Sequence, residues 1–300
     1  MKSFYQDENI NVSSLSLGTM TNISESNWLS QIELFQKAFQ LGINSFDTAP
    51  HYNDNKGELF LGKLLQDIPR KEVFISTKVY YEHDFSFGEK GLSRKHIFNS
   101  VNKSLEKIGT DYIDVLYFHR YDSTVKLEES ILAVSELIKE GKIKRWGVCG
   151  FNCEQIVDAY HIAIDLGIEL SFAQYAYNLF NRTIEKGLND VFKNKKIQIF
   201  GYYPLAQGIL TGKYIDGKPE GSRANNAFFK NYMWDFTEEK LNLSREYKIL
   251  CENENVSCIG TAYNWCLRNQ NLASLITNVR DINQLNSNIE YINEPFNPEI

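Results

Sequence analysis

The chain has 300 residues, 43% of them hydrophobic and 23% charged, with a formal charge of −6. That length can bury a sizeable core, and an acidic balance without any long Lys/Arg run argues against nucleic acid or an anionic membrane surface as the partner. No stretch reaches the roughly 18 apolar residues of a membrane span, and MKSFYQDENINV lacks the apolar core of a secretory signal, so a cytoplasmic protein is expected.

From the N-terminus onward, short apolar runs alternate with longer amphipathic ones. Strands are predicted at 14–19, 44–49, 73–78, 112–119, 145–151, 171–177, 198–204 and 274–277. Helices are predicted at 28–42, 57–67, 94–109, 127–141, 154–167 and 183–195, with two more near 237–253 and 257–269. Four of them end at or near Gly42, Gly109, Gly141 or Gly167, where a left-handed C-cap suits glycine, and Ser93 is a good N-cap. Eight strands with intervening helices predict a single (β/α)8 TIM barrel over 1–300, with an open doubly wound sheet as the alternative. After the seventh strand comes a long glycine- and aromatic-rich loop, and loops of that length are usually functional.

In such a barrel the chemistry sits at the C-terminal strand ends. Asp47, Lys78 and His119 end the second, third and fourth strands, and Tyr52 lies in the loop after the second. A phenol ordinarily titrates near 10, and a neighbouring ammonium favours its ionised form. Lys78 is expected to do this to Tyr52 while Asp47 holds the lysine and His119 orients a carbonyl, an arrangement suited to carbonyl reduction. Each residue alone has a bland reading as a cap, a solvated strand end or a core histidine. His51 reads only as a loop residue.

Five cysteines, an odd number without a CxxC pair, read as free thiols, and the histidines lack metal-ligand spacing, so no metal is expected. There is no GxGxxG, and GILTGK is one residue short of a Walker A loop. Phosphate would instead be met after strands seven and eight, by PLAQGILTGK, GSRAN and NVRDINQLNSN, with Lys213, Arg223 and Arg280.

Taken together, GINSFDTAPHYND, GELFLGKLL, VFISTKV, SLEKIGTDYIDVLYFHRYD, LIKEGKIKRWGV, YNLFNR and YYPLAQGILTGKY resemble the aldo-keto reductase family over nearly the whole chain. The resemblance implies a TIM barrel with an N-terminal β-hairpin near 4–13, an NADPH cofactor and a tetrad of Asp47, Tyr52, Lys78 and His119. It places Gly18, Thr19, Met20, Asp47, Cys149, Gln174 and Tyr202 around the nicotinamide. Leu205, Gln207, Gly208, Lys213, Ser222 and Arg223 fall at the pyrophosphate. Gln284 and Asn288 fall at the adenosine, and Arg280 at the 2′-phosphate, favouring NADPH (NADP+) over NADH.

Two departures stand out. The family's GVSNF reads GVCGF at 147–151, which removes a Ser-Asn pair that normally holds the carboxamide. Asn278 stands where a glycine commonly comes after the last strand, and Asn tolerates left-handed backbone. Tyr80, Phe87 and Trp234, in the aromatic loops, are candidate pocket walls for a small carbonyl substrate, sugar derivatives included. The leading expectation is a reductase with Tyr52 as general acid. The alternatives are a nucleotide-binding regulatory subunit with little turnover and an aldolase-like barrel with Lys78 as Schiff-base nucleophile.

Overall fold

The chain opens with an antiparallel hairpin, β1 (Ser3–Asp7) and β2 (Ile10–Ser13), in a computed structural model that describes residues 3–7, 10–20, 23–81, 90–225 and 236–293. Tyr5 meets Phe172 edge-on at 5.1 Å, so the hairpin packs against the bottom of the barrel. The barrel itself is eight parallel strands that close on themselves: β3 (Leu15–Gly18), β4 (Ser45–Asp47), β5 (Phe74–Val79), β6 (Ile113–Phe118), β7 (Ile143–Cys149), β8 (Leu170–Ala176), β9 (Gln198–Tyr202) and β10 (Leu272–Thr277). β10 pairs with both β9 and β3, which closes the ring. The chain is therefore a (β/α)8 barrel, and the alternative of an open sheet falls.

Register decides what faces the barrel axis. Asp47 pairs with Gly18 and Ser76, Lys78 with Tyr117, and Cys149 with Gln174. Further back along these strands the interior turns apolar: Phe74 stacks on Phe200 at 5.9 Å, and Phe172 meets both edge-on. Full burial of each such ring contributes about 1.5–3 kcal/mol. Gly147 belongs to this floor by necessity, because a Cβ there would sit 2.6 Å from Tyr117 Cε1. The floor shuts water out beneath the polar upper layer.

Around the barrel run α1 (Trp28–Gln40), α2 (Gly57–Leu64), α3 (Arg94–Ile108), α4 (Leu127–Lys139), α5 (Cys153–Asp165), α6 (Leu188–Lys195), α7 (Glu238–Asn253), α8 (Cys258–Leu267) and α9 (Ile282–Tyr291). Ser93 caps α3 by accepting from the His96 amide, and Gly109 ends it at φ +68°, a region that disfavours a Cβ. Two helices differ from expectation. The run predicted at 183–195 breaks at Gly187 (φ +94°) into a 3-10 turn and the shorter α6. The segment 278–288, read as an anion-binding loop, contains most of α9, capped by Asp281. Its asparagines are weak helix formers, and burial of Leu285 and Asn288 holds it. No described helix is long and apolar enough to cross a membrane.

Candidate active site

Asp47 is the hub of the barrel mouth. One carboxylate oxygen, Oδ2, receives Lys78 Nζ at 2.6 Å. The other, Oδ1, accepts from Ser76 Oγ and Gln174 Nε2, both at 2.8 Å. Lys78 also donates to the Thr48 carbonyl at 2.8 Å and is 1% exposed. A buried charge is tolerated only when paired and hydrogen-bonded, and here neighbouring strands and the turn after β4 supply the partners. The result is a rigid ion pair standing on the aromatic floor.

Tyr52 reaches this pair because of the loop that carries it. Asn53, Asp54 and Asn55 all take left-handed backbone, φ +49°, +51° and +67°, conformations that Asn and Asp accept more readily than most residues. Asn53 Nδ2 donates to the Thr19 carbonyl, tying the loop to the end of β3. Tyr52 then lies with Lys78 Nζ 4.8 Å from its ring centroid and the His119 ring 6.1 Å away. The four residues of the expected tetrad are thus in one place.

The electrostatics differ from expectation in one respect. Burial, and after it the Asp47 carboxylate, push the Tyr52 phenol well above its ordinary range. Lys78, 4.8 Å from the ring centroid and paired with that carboxylate, does not offset the burial. His119 is held well below the usual imidazole range by burial and then by Lys78. His51 is lowered to about 4 for the same reasons. The site therefore holds a neutral phenol and two neutral imidazoles beside one ion pair.

A cleft opens beside this cluster, outside the ends of β9 and β10. Leu205, Gln207, Gly208, Lys213, Ser222, Arg223, Arg280, Gln284 and Asn288 all line it, with Tyr203, Ile276 and Asn278. Its described lining holds three cations and no carboxylate. Lys213 is pulled down to about 8 by burial and then by the like charges of Arg280 and Arg223. The Ser222 hydroxyl is buried without a hydrogen-bond partner among the described residues. Backbone at Tyr203, Ala206, Gln207 and Gly208 is left-handed, and such turns can aim successive N–H groups outward. Gln284 and Asn288 come after Arg280 at four-residue intervals, so α9 presents them on one face. Self-repelling cations and an orphaned donor fit a ligand bearing several phosphates. No group of residues among those described has the makings of a metal site.

The remaining expected residues divide. Thr19 Oγ1 donates to Thr48 Oγ1 at 2.7 Å and Gly18 pairs with Asp47, so the end of β3 adjoins the ion pair. Met20 accepts from the Tyr203 hydroxyl through sulfur at 3.8 Å, and Tyr202 stands edge-on to Tyr203 at 5.0 Å. Cys149 lies 3.9 Å from Gln174 Oε1, and burial raises its thiol to about 12, so it stays protonated and a weak donor. Gly150 takes φ +65°, a turn that glycine keeps while supplying no side chain. Asn278 does not use left-handed backbone. Its amide instead donates to the Gly18 carbonyl at 2.8 Å.

Among the aromatic candidates, Tyr80 packs against the outer hydrophobic core. Its neighbour Tyr81 meets His51 at 4.7 Å and His119 at 5.2 Å. Both tyrosines follow β5, which ends at Val79, so aromatic content alone could not tell which of them turns toward the histidines. Phe87 and Trp234 lie outside the described residues. His51, set aside from sequence, packs against Tyr52 at 4.9 Å and against His119 at 5.2 Å, with its Nδ1 buried and unpartnered among the described residues. A lone histidine at the start of a polar loop carries no sequence signal for this.

Comparison with known proteins places the chain in a family. Residues 14–300 match the profile of the Aldo/keto reductase family. An L-glyceraldehyde 3-phosphate reductase of Escherichia coli O157:H7 is 33% identical over 289 residues, covering 93% of this chain and 84% of that protein. A putative voltage-gated potassium channel subunit beta of Schizosaccharomyces pombe is 34% identical over 284 residues, covering 88% and 80%. In fold, the glycerol dehydrogenase of Gluconobacter oxydans superposes with a TM-score of 0.79 at 24% identity, over 96% of this chain and 89% of that one.

Proposed function

Because the chain belongs to the aldo/keto reductase family, we propose that it is an NADPH-dependent oxidoreductase that reduces a small aldehyde or ketone to the alcohol, with Tyr52 as general acid. The observation that carries this reading is the meeting of Asp47, Tyr52, Lys78 and His119 in one buried cluster that adjoins a three-cation cleft. Small sugar-like aldehydes are the first substrates to test, given the L-glyceraldehyde 3-phosphate reductase among its relatives. The free thiols suit a reducing compartment such as the cytoplasm.

In this reading Lys213, Arg223 and Ser222 hold the pyrophosphate and Arg280 the 2′-phosphate, with Gln284 and Asn288 at the adenosine and Gln174 at the carboxamide. The bound cofactor supplies a hydride to the carbonyl carbon. Tyr52 gives its proton to the carbonyl oxygen; the raised phenol keeps that proton until a base forms there. Lys78, beneath the ring, stabilises the phenolate that is left, and Asp47 holds Lys78 in place. His119, neutral because of its burial, can donate one ring N–H to the same oxygen. The apolar floor keeps water from competing.

The test is NADPH oxidation against a panel of aldehydes, repeated with Tyr52→Phe. The variant is expected to lose about 10³-fold in kcat with NADPH affinity unchanged, and full activity in the variant would overturn the assignment. The relationship to a channel beta subunit supports a second reading, a nucleotide-binding regulatory protein; tight NADPH binding with negligible turnover in the wild type would favour it. The aldolase-like alternative is disfavoured by Lys78 itself, whose ammonium is paired with Asp47 and hydrogen-bonded to Thr48.

A further inference from the structure

At the mouth of the acid/base cluster stands a cation that the proposed proton transfer does not use. Arg120 comes directly after His119 at the end of β6, where the His119 amide donates to the Val79 carbonyl at 2.9 Å and ties the ends of β5 and β6 together. Its guanidinium lies 5.6 Å from the centroid of Tyr81. That ring in turn touches His119 and His51, which border Tyr52. The side chain is exposed and has no carboxylate partner among the described residues. This contrasts with Lys78, Arg70 and Arg94, each within 2.6 Å of a carboxylate. The acid nearest in sequence, Asp122, is turned elsewhere: it accepts from the Leu92 and Thr124 amides and the Thr124 hydroxyl.

We infer that Arg120 is a specificity-determining anion anchor, and that the preferred substrate is a short aldehyde carrying a phosphate or carboxylate a few carbons from the carbonyl that meets Tyr52. A guanidinium held over an aromatic face at cation–π distance keeps its donors free, and a planar fork matches either anion. Its charge already reaches the reacting groups: after burial and Lys78, Arg120 adds to the forces that hold His51 and His119 neutral. With Asp47 neutralised by Lys78, no carboxylate on the described wall opposes an incoming anion. The anchor acts on binding, not on proton transfer.

This rests on the carbonyl-reductase reading, and its test separates the two. Steady-state kinetics with NADPH would compare glyceraldehyde 3-phosphate, succinic semialdehyde, glyceraldehyde and butyraldehyde, using wild type, Arg120→Ala and Arg120→Lys. The wild type is expected to prefer a charged aldehyde over its neutral counterpart by about tenfold or more in kcat/KM, with the preference shrinking as salt rises. Arg120→Ala should lose that preference through KM, leaving kcat and the neutral substrates within about twofold, and Arg120→Lys should restore part of it. The phosphate and carboxylate arms tell which anion is read. Equal losses on charged and neutral substrates, or no charged preference in the wild type, would overturn the anchor while leaving the reductase standing. Turnover of no aldehyde at all would overturn both.

Discussion

The cluster at the ends of β4, β5 and β6 and the cleft beyond β9 and β10 share one face of the barrel, yet they are built in opposite ways. In the cluster the central charges find their partners within the protein: Asp47 accepts from Lys78, Ser76 and Gln174, and Lys78 donates also to Thr48. In the cleft, cations face each other, the Ser222 hydroxyl has no partner among the described residues, and the backbone turns left-handed at Tyr203 and again from Ala206 to Gly208. A site that must hold one geometry while a proton moves gains from internal partners, since they cost no reorganisation at the moment of reaction. A site that must grip a polyanion gains from donors left without partners until the ligand arrives. Under the proposed function, the difference separates the half that would react from the half that would bind.

That contrast can be broken most sharply at Asp47. Asp47→Ala leaves Lys78 a buried charge with only a carbonyl for company, and removal of one partner of a buried pair costs about 3–5 kcal/mol. Chemical denaturation should report a loss of that order. A loss below about 1 kcal/mol, the range of solvated pairs, would mean that water reaches the pair and that the floor does not seal it.

On the binding side, Arg280→Ala should leave the fold intact, because the side chain is exposed and donates only to the Gly221 carbonyl among its described partners. Charge-assisted hydrogen bonds are worth about 1.5–3 kcal/mol, so NADPH affinity is expected to fall about ten- to hundredfold by fluorescence titration. NADH affinity should change much less. Equal losses for the two nucleotides would place Arg280 on the pyrophosphate instead.

The smallest effect is a pH dependence of stability carried by His51. Its folded value is lowered from 6.5 to about 4, so as pH falls below 6.5 the unfolded chain binds a proton that the folded chain refuses. Stability contributed by the neutral ring is present above 6.5 and is lost as pH drops toward 4. Between about pH 7.5 and 5.5 the His51 share of the loss should be roughly 1 kcal/mol, so the slope in His51→Gln should shrink by that much and keep the share carried by the similarly lowered His119. An unchanged acid slope in the variant would show that His51 is hydrated.

The sequence by itself determined the barrel and which titratable side chains gather at its mouth. Its strand and helix periods, and acid, ammonium and imidazole at successive strand ends, required only local patterns and the rule that barrel sites gather at C-terminal ends. Glycine and asparagine also marked their own turns, because left-handed backbone is a property of the residue. The tertiary structure decided quantities set by neighbours distant in the chain. Tyr52 is raised and not lowered, because burial and the Asp47 carboxylate outweigh the nearby Lys78 ammonium. Tyr81, not Tyr80, meets the histidines, because both lie past the end of β5 at Val79, where the path of the chain and not a local pattern sets which ring turns inward. The helix α9 forms in an asparagine-rich segment through the burial of Leu285 and Asn288, and so aligns Gln284 with Asn288 along the cleft. Periodicity is local; dielectric and contact belong to the folded whole.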